Sequence, residues 1–134
     1  QNYFKNKTSE DNMIIYGHVD HLKLNKIINF CHVYVLPSIE DGFATTILQV
    51  ASAGCPVIVT ENTGSSDFVK SSKCGYVIPI RNVDEILNKL IFLQENRDVL
   101  EQLSLNGQNY SKENNWETYC GKLDQIVNEY KANC

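Results

Sequence analysis

The chain has 134 residues, 43% of them hydrophobic, and a formal net charge of −4. That length suits one domain with a modest core, and the acidic balance favours neither nucleic acid nor an anionic membrane as a partner. No apolar run approaches the ~20 residues that a membrane span needs, and no signal peptide is read. The five cysteines, Cys31, Cys55, Cys74, Cys120 and Cys134, show no Cys-x-x-Cys spacing. Reduced thiols in a cytoplasmic protein are expected, with no zinc and no other metal.

Residues 1–12 are polar and charged and read as a frayed end or the tail of a helix. Met13, Ile14, Ile15 and Tyr16 form a short β-prone run that Gly17 ends. Asp20 follows as a plausible N-cap, and residues 22–30 read as a helix with Leu24, Ile27, Ile28 and Cys31 turned inward. Val33 to Leu36 is apolar at every position, as in a parallel strand covered on both faces, and Pro37-Ser38 stops it. After a polar loop, 39–42, a helix is predicted over 43–53, with Gly54 as its stop. Pro56 opens a second apolar strand, Val57, Ile58 and Val59. Strand, helix and parallel strand make a right-handed crossover.

Beyond Thr60, Ser65 or Ser66 is placed to cap a helix over 67–71. Residues 75–79 read as a strand near a sheet edge, because Pro79 cannot donate to a ladder. Asn82 or Asp84 starts a helix whose apolar stripe is Val83, Ile86, Leu87, Leu90 and Ile91. Another helix over 97–110 turns Val99, Leu100 and Leu103 inward. The last, 116–130, carries Trp116, Tyr119, Leu123, Ile126, Val127 and Tyr130 at helical spacing, a stripe suited to packing or docking. About four strands and six helices alternate, which points to an α/β, Rossmann-like parallel sheet with helices on both faces.

Chemistry concentrates after the strand at 33–36, where open α/β sheets bind ligands. Ile47, Val50, Ala51 and Gly54 form one face of the following helix, and Thr45, Gln49 and Ser52 form a polar face. A helix start near Gly42 to Thr45 offers free amides and the positive end of a dipole. Gly42 lets a ligand approach the backbone. A carboxylate, a helix end and a polar group two turns on suit a sugar, a diphosphate and a ribose. His18 and His21 have the chemistry of bases, but histidines beside a strand end are more often surface residues.

Pro37-Ser38-Ile39-Glu40-Asp41-Gly42-Phe43-Ala44, followed by Ile47-Leu48-Gln49-Val50-Ala51-Ser52-Ala53-Gly54-Cys55-Pro56-Val57-Ile58, resembles the donor-site signature of group 1 (family 4) retaining glycosyltransferases. The resemblance spans about 12–130. It implies the C-terminal half of a GT-B fold, lacking its first strand and helix, so that 1–134 is a single, partial donor-binding domain. It implies a UDP- or GDP-sugar as donor substrate, no cofactor and no metal. The expected partner is an N-terminal acceptor domain of the same polypeptide, with peripheral membrane association through that domain. The donor contacts carried over are Asp41, Gly42, Phe43, Ala44, Thr45 and Gln49. Gly17, His18 and Val19 border the base, and Thr63, Gly64 and Asp67 stand where the family has a Gly-Gly-x-x-Glu turn. Asp41 replaces the family's first Glu, Gln49 its second and Ala44 its second loop Gly. The family's phosphate-binding Arg and Lys lie before this region, and no Lys or Arg occurs between Lys26 and Lys70.

Three readings follow: the donor half of a glycosyltransferase, a degenerate homologue that binds or regulates without catalysis, and an unrelated receiver or flavodoxin-like module. A receiver needs a phosphorylatable Asp with acidic and Lys partners, which Asp41 lacks. A flavodoxin-like module needs a Ser- and Thr-rich phosphate loop after its first strand, which does not follow Tyr16.

Overall fold

The computed structural model describes residues 14–132. Among the described residues six helices and three strands follow in the order α1 (His21–Ile28), β1 (Tyr34–Leu36), α2 (Thr46–Ser52), β2 (Val57–Thr60), α3 (Ser65–Ser72), β3 (Gly75–Ile78), α4 (Val83–Glu95), α5 (Arg97–Glu113) and α6 (Trp116–Ala132). The sheet has the order β1-β2-β3 and is parallel throughout. Tyr34 pairs with Val57, and Val57 with Gly75.

All four residues of β2 are buried, which explains their unbroken apolar run. Successive side chains point to opposite faces. Val57 and Val59 join Ile28 of α1, Ile47, Val50 and Ala51 of α2, and Val69 of α3 in one core. Ile58 points the other way, in register with Tyr76, whose ring meets Phe92 of α4 edge-on at 6.4 Å. Helices therefore cover both faces, as expected. At the end of α2, Gly54 takes φ +78, the left-handed turn that stops the helix. Across α2 lies α5, with its buried Gly107 beside Ala51. Phe68 of α3 and Tyr110 of α5 meet edge-on at 5.4 Å.

Several expectations are corrected. Met13 lies outside the described residues, as do 1–12. Ile14, Ile15 and Tyr16 form no strand and are 73%, 51% and 48% exposed. A strand exists only through a ladder with a neighbour, and among the described residues this segment has none. The helix expected from residue 43 begins at Thr46, after a turn in which Ala44 O and Thr45 O accept from the amides of Ile47 and Leu48. Cys31 is exposed rather than in the core, beyond the last turn of α1, where its thiol donates to Ile27 O. Neither Ser65 nor Ser66 caps α3. The cap position is Gly64, and both serines lie buried inside the first turn.

Along α4 the single buried residue is Leu93, whereas Val83, Leu87 and Ile91 of the expected core stripe are exposed. The periodicity was that of an amphipathic helix, but the described residues cover a different line of it. The aromatic stripe of α6, from Trp116 to Tyr130, is also exposed. Two cap readings agree with the structure. Asn82 Oδ1 accepts from Glu85 N at 3.0 Å, and Asp20 Oδ1 accepts from Lys23 N at 2.8 Å. Asp20→Ala removes that acceptor and is expected to cost α1 about 1 kcal/mol. The check is hydrogen exchange at the Lys23 amide, which should quicken roughly fivefold.

Burial, and secondarily the neighbouring Cys31, push the Cys55 thiol up to about 12, and burial likewise raises that of Cys74. Both thiols therefore stay protonated and act as small apolar groups.

Candidate functional site

The carboxyl ends of β1 and β2 each run into a loop, and the two loops are fastened together. Thr60, at the end of β2, donates its hydroxyl hydrogen to Ser38 O. The amide of Asp41 donates to Asn62 O at 3.4 Å, and Asp41 O accepts from Gly64 N at 3.1 Å. These bonds form an isolated parallel bridge between Asp41 and Thr63. Thr63 is buried and anchors the second loop through its hydroxyl to Thr60 O at 3.0 Å. Gly64 then passes directly over Gly42. A Cβ built on Gly64 would lie 1.9 Å from Gly42 O, so backbone meets backbone there.

Asp41 is thus fixed by its own main chain, and its partly buried side chain sits at the lip of the sheet. Gly42 and Phe43 are exposed, Ala44 is half-buried and Thr45 is exposed. No backbone acceptor among the described residues takes the amides of Gly42 to Thr45, so this turn presents several donors together.

Gln49 lies one turn into α2, ~4.5 Å along the axis from Thr46, rather than the two turns that a helix from residue 43 implies. Its neighbours Ile47, Val50 and Ala51 are 0%, 1% and 0% exposed, which pins α2 against the sheet. The Gln49 Oε1 atom is buried and has no hydrogen-bond partner. A buried amide oxygen without a donor is costly, about 1–3 kcal/mol, and is uncommon. Spacing alone gave no sign of this orphaned atom. Ser65 Oγ, at the start of α3 just beyond the fastened loops, is a second one. Thr46 Oγ1, one turn before Gln49, meets the Tyr34 hydroxyl at 3.2 Å.

The third predicted segment is separate. Gly17 takes φ +65 and His18 is exposed, while Val19 is half-buried. No hydrogen bond among the described residues joins 17–19 to the loop at 37–49. Near them Lys23 Nζ lies over the Tyr16 ring at 5.5 Å. The sequence reading brought the second loop to the same lip as the first, and there it agrees with the structure.

A groove of about 480 Å³ lies elsewhere: Leu48, Phe68, Tyr110, Trp116 and Tyr119 line it together with the polar Ser111, Asn114 and Asn115, and none of Asp41, Gly42 or Gln49 does. It lies between helices, and its wall sets aromatic and apolar side chains beside these polar ones, of which Ser111 has a buried Oγ with no hydrogen-bond partner. Among the described residues no three His, Cys, Asp or Glu side chains cluster as metal ligands, and no helix is long and apolar enough to cross a membrane.

The parallel sheet, its two crossovers and the joined loops at the carboxyl ends of its strands define a Rossmann-like α/β fold. The chain belongs to the group 1 glycosyl transferases, whose family model matches residues 1–110. It is 32% identical over 83 residues to the UDP-Gal:alpha-D-GlcNAc-diphosphoundecaprenol alpha-1,3-galactosyltransferase of Escherichia coli, covering 62% of this chain and 21% of that protein. Among solved structures, sucrose-phosphate synthase from Thermosynechococcus elongatus superposes with a TM-score of 0.81 at 21% identity, over 97% of this chain and 33% of that one. WaaG, a glycosyltransferase of lipopolysaccharide biosynthesis, gives 0.63 at 19% identity, over 76% and 28%. At these identities the likeness is one of fold, that of GT-B glycosyltransferases. The chain spans about a fifth to a third of the length of these relatives.

Proposed function

We propose that the chain is the donor-binding part of a retaining glycosyltransferase that uses a nucleotide-diphosphate sugar. The observation that carries this reading is the fastened lip: two loops joined at Asp41, Thr63 and Gly64, with the unclaimed amides of Gly42 to Thr45 leading into α2, where the Gln49 Oε1 atom has no partner. A departing nucleotide diphosphate needs preorganised donors, and the sugar needs a fixed hydrogen-bond acceptor. In this reading the turn at 42–45 receives the diphosphate, and the Asp41 carboxylate accepts from the sugar hydroxyls. Gln49 meets the ribose, and Gly17, His18 and Val19 border the base. The UDP-Gal in the name of the E. coli relative supports a uridine nucleotide, with a guanosine nucleotide as the other choice. No metal is needed. The acceptor binds on another domain of the same polypeptide, so the domain alone transfers no sugar.

Titration calorimetry with UDP, GDP and their sugar conjugates tests the reading. One nucleotide is expected to bind saturably, and Asp41→Ala is expected to weaken the sugar conjugate by tenfold or more while leaving the bare nucleotide within about twofold, as for loss of charged hydrogen bonds. Equal loss for both ligands would move Asp41 away from the sugar. Failure of every nucleotide to bind the full-length protein would favour the second reading, a non-catalytic homologue, which the amide at Gln49 and the shortened carboxylate at Asp41 motivate.

A further inference from the structure

We infer that the groove lined by Phe68, Tyr110, Trp116 and Tyr119 is a binding site for a neutral saccharide, with Trp116 as the ring it stacks on. The inference stands apart from the donor-site reading, because none of the residues at the joined loops lines this groove.

Four aromatic rings supply the walls. Phe68 and Tyr110 meet edge-on at 5.4 Å, and Trp116 and Tyr119 meet edge-on at 5.8 Å. Rings that stand at right angles set the walls in more than one plane. Trp116 is 80% exposed, so most of its ring has no protein against it. A bare aromatic surface beside a concave wall is the usual ground of a small-molecule site, and about 480 Å³ lies within the ~300–1,000 Å³ of such sites.

Two polar groups in the same wall lack partners. Ser111 Oγ is sealed and unbonded, although Ser111 as a residue is only partly buried. Orphaned hydroxyls are uncommon. Rotation about the single side-chain torsion re-aims this one without loss of an existing bond. Asn114 donates from Nδ2 to Tyr110 O at 3.0 Å, and among the described residues its Oδ1 accepts no hydrogen bond. Asn115 is different. Its Oδ1 accepts from Thr118 N and Thr118 Oγ1, and its Nδ2 donates to Lys112 O, so it is occupied with the start of α6.

This wall selects a class of ligand. No charged side chain lines it, so a phosphate or carboxylate would enter without a counter-charge. A hydrocarbon chain would cover Ser111 Oγ and Asn114 Oδ1 and leave both unpaired. A pyranose ring has apolar C–H faces, which lie flat on an aromatic ring, and a rim of hydroxyls that both donate and accept. It meets the rings with its faces and the two orphaned groups with its rim.

Trp116 is the only tryptophan in these 134 residues, and it reports on its own groove. The experiment follows tryptophan emission of the full-length protein as methyl glycosides of glucose, galactose and N-acetylglucosamine are added. The same titration of Trp116→Phe is subtracted, so that only Trp116 is read. A saturable blue shift in the millimolar range is expected for at least one glycoside. Calorimetry with that glycoside should show Ser111→Ala weaker by roughly three- to tenfold, as for one neutral hydrogen bond. Trp116→Ala should be weaker by tenfold or more, with circular dichroism unchanged, and Asp41→Ala should stay within about twofold. Uridine, glucose 6-phosphate and 1-octanol are the comparison ligands, and each should bind more weakly than the glycoside. The inference is overturned if no glycoside binds up to ~100 mM, or if a comparison ligand binds more tightly. It is also overturned if Asp41→Ala abolishes glycoside binding while Ser111→Ala leaves it unchanged, which would place the sugar at the joined loops. Trp116 shielded from acrylamide before any sugar is added would show that another part of the polypeptide fills the groove, and would overturn it equally.

Discussion

Replacing Gly64 with alanine is expected to cost about 1–3 kcal/mol, as for a methyl forced into filled space, and to disable nucleotide binding at the same stroke. The added carbon would lie 1.9 Å from Gly42 O and 3.0 Å from Gly42 C. Both are backbone atoms, held by the bonds from Asp41 N to Asn62 O and from Gly64 N to Asp41 O, so neither can swing away as a side-chain tip would. Relief requires the two loops to part, which undoes the bridge that sets Asp41. Gly42→Ala is the contrasting change. Nothing lies within 4 Å of a Cβ there, and stability should stay within about 0.5 kcal/mol. Urea unfolding of the two variants, paired with calorimetry, reads both effects. A Gly64→Ala protein as stable as the parent would mean that the loops are not fastened in solution.

The second large effect is expected inside α4. Leu93→Ala should cost about 2–5 kcal/mol, the usual range for emptying a sealed leucine site, because Leu93 is 1% exposed. Leu87→Ala, two turns earlier on the same helix and 53% exposed, should cost no more than about 0.5 kcal/mol in a protein of these residues alone. Denaturant midpoints at constant slope measure the pair. In the full-length polypeptide the same two substitutions gauge whether α4 is covered further. A Leu87→Ala cost rising toward that of Leu93→Ala would show a partner surface on the helix.

That pair marks where reading the sequence reaches its limit. The strands read at 33–36 and 57–59 were legible because a strand covered on both faces is apolar at every position, and the one at 75–79 because Pro79 marks an edge, which is where β3 lies. The Asp20 and Asn82 caps were legible because capping is a local bond across three residues. Periodicity along α4 gave its amphipathic character, but which side chains meet a neighbour depends on where the sheet lies, and Leu93 emerged instead of Leu87. The run at 13–16 had the composition of a strand, yet a strand needs a second chain segment to pair with.

At the site, the carboxylate and the loop were visible from residue types. The fastening of Asp41 to Gly64 was not, since it joins residues more than twenty positions apart, and no pattern in either loop records it. The late start of α2 has a local cause that spacing hides. The turn at Ala44 and Thr45 satisfies the amides of Ile47 and Leu48 before regular helix begins, and this moves Gln49 a turn closer to the helix end.

The order in which the structure assembles follows from the parallel sheet. Every pairing in it joins segments separated by a whole helix, and no hairpin shortens the search. The helices that bridge those gaps, α2 with 7 residues and α3 with 8, are below the ~12–15 residues that let a helix persist alone in water. By contrast α4 and α5, with 13 and 17 residues, follow one another through Asn96 alone, so their contact closes a short loop at little entropic cost. The α4–α5 hairpin is therefore the piece expected to form early, ahead of the non-local parallel pairings. The Asp41–Thr63 bridge lies beyond the end of the β1–β2 ladder, so the lip that carries Asp41 and Gly64 is expected to close no earlier than that ladder.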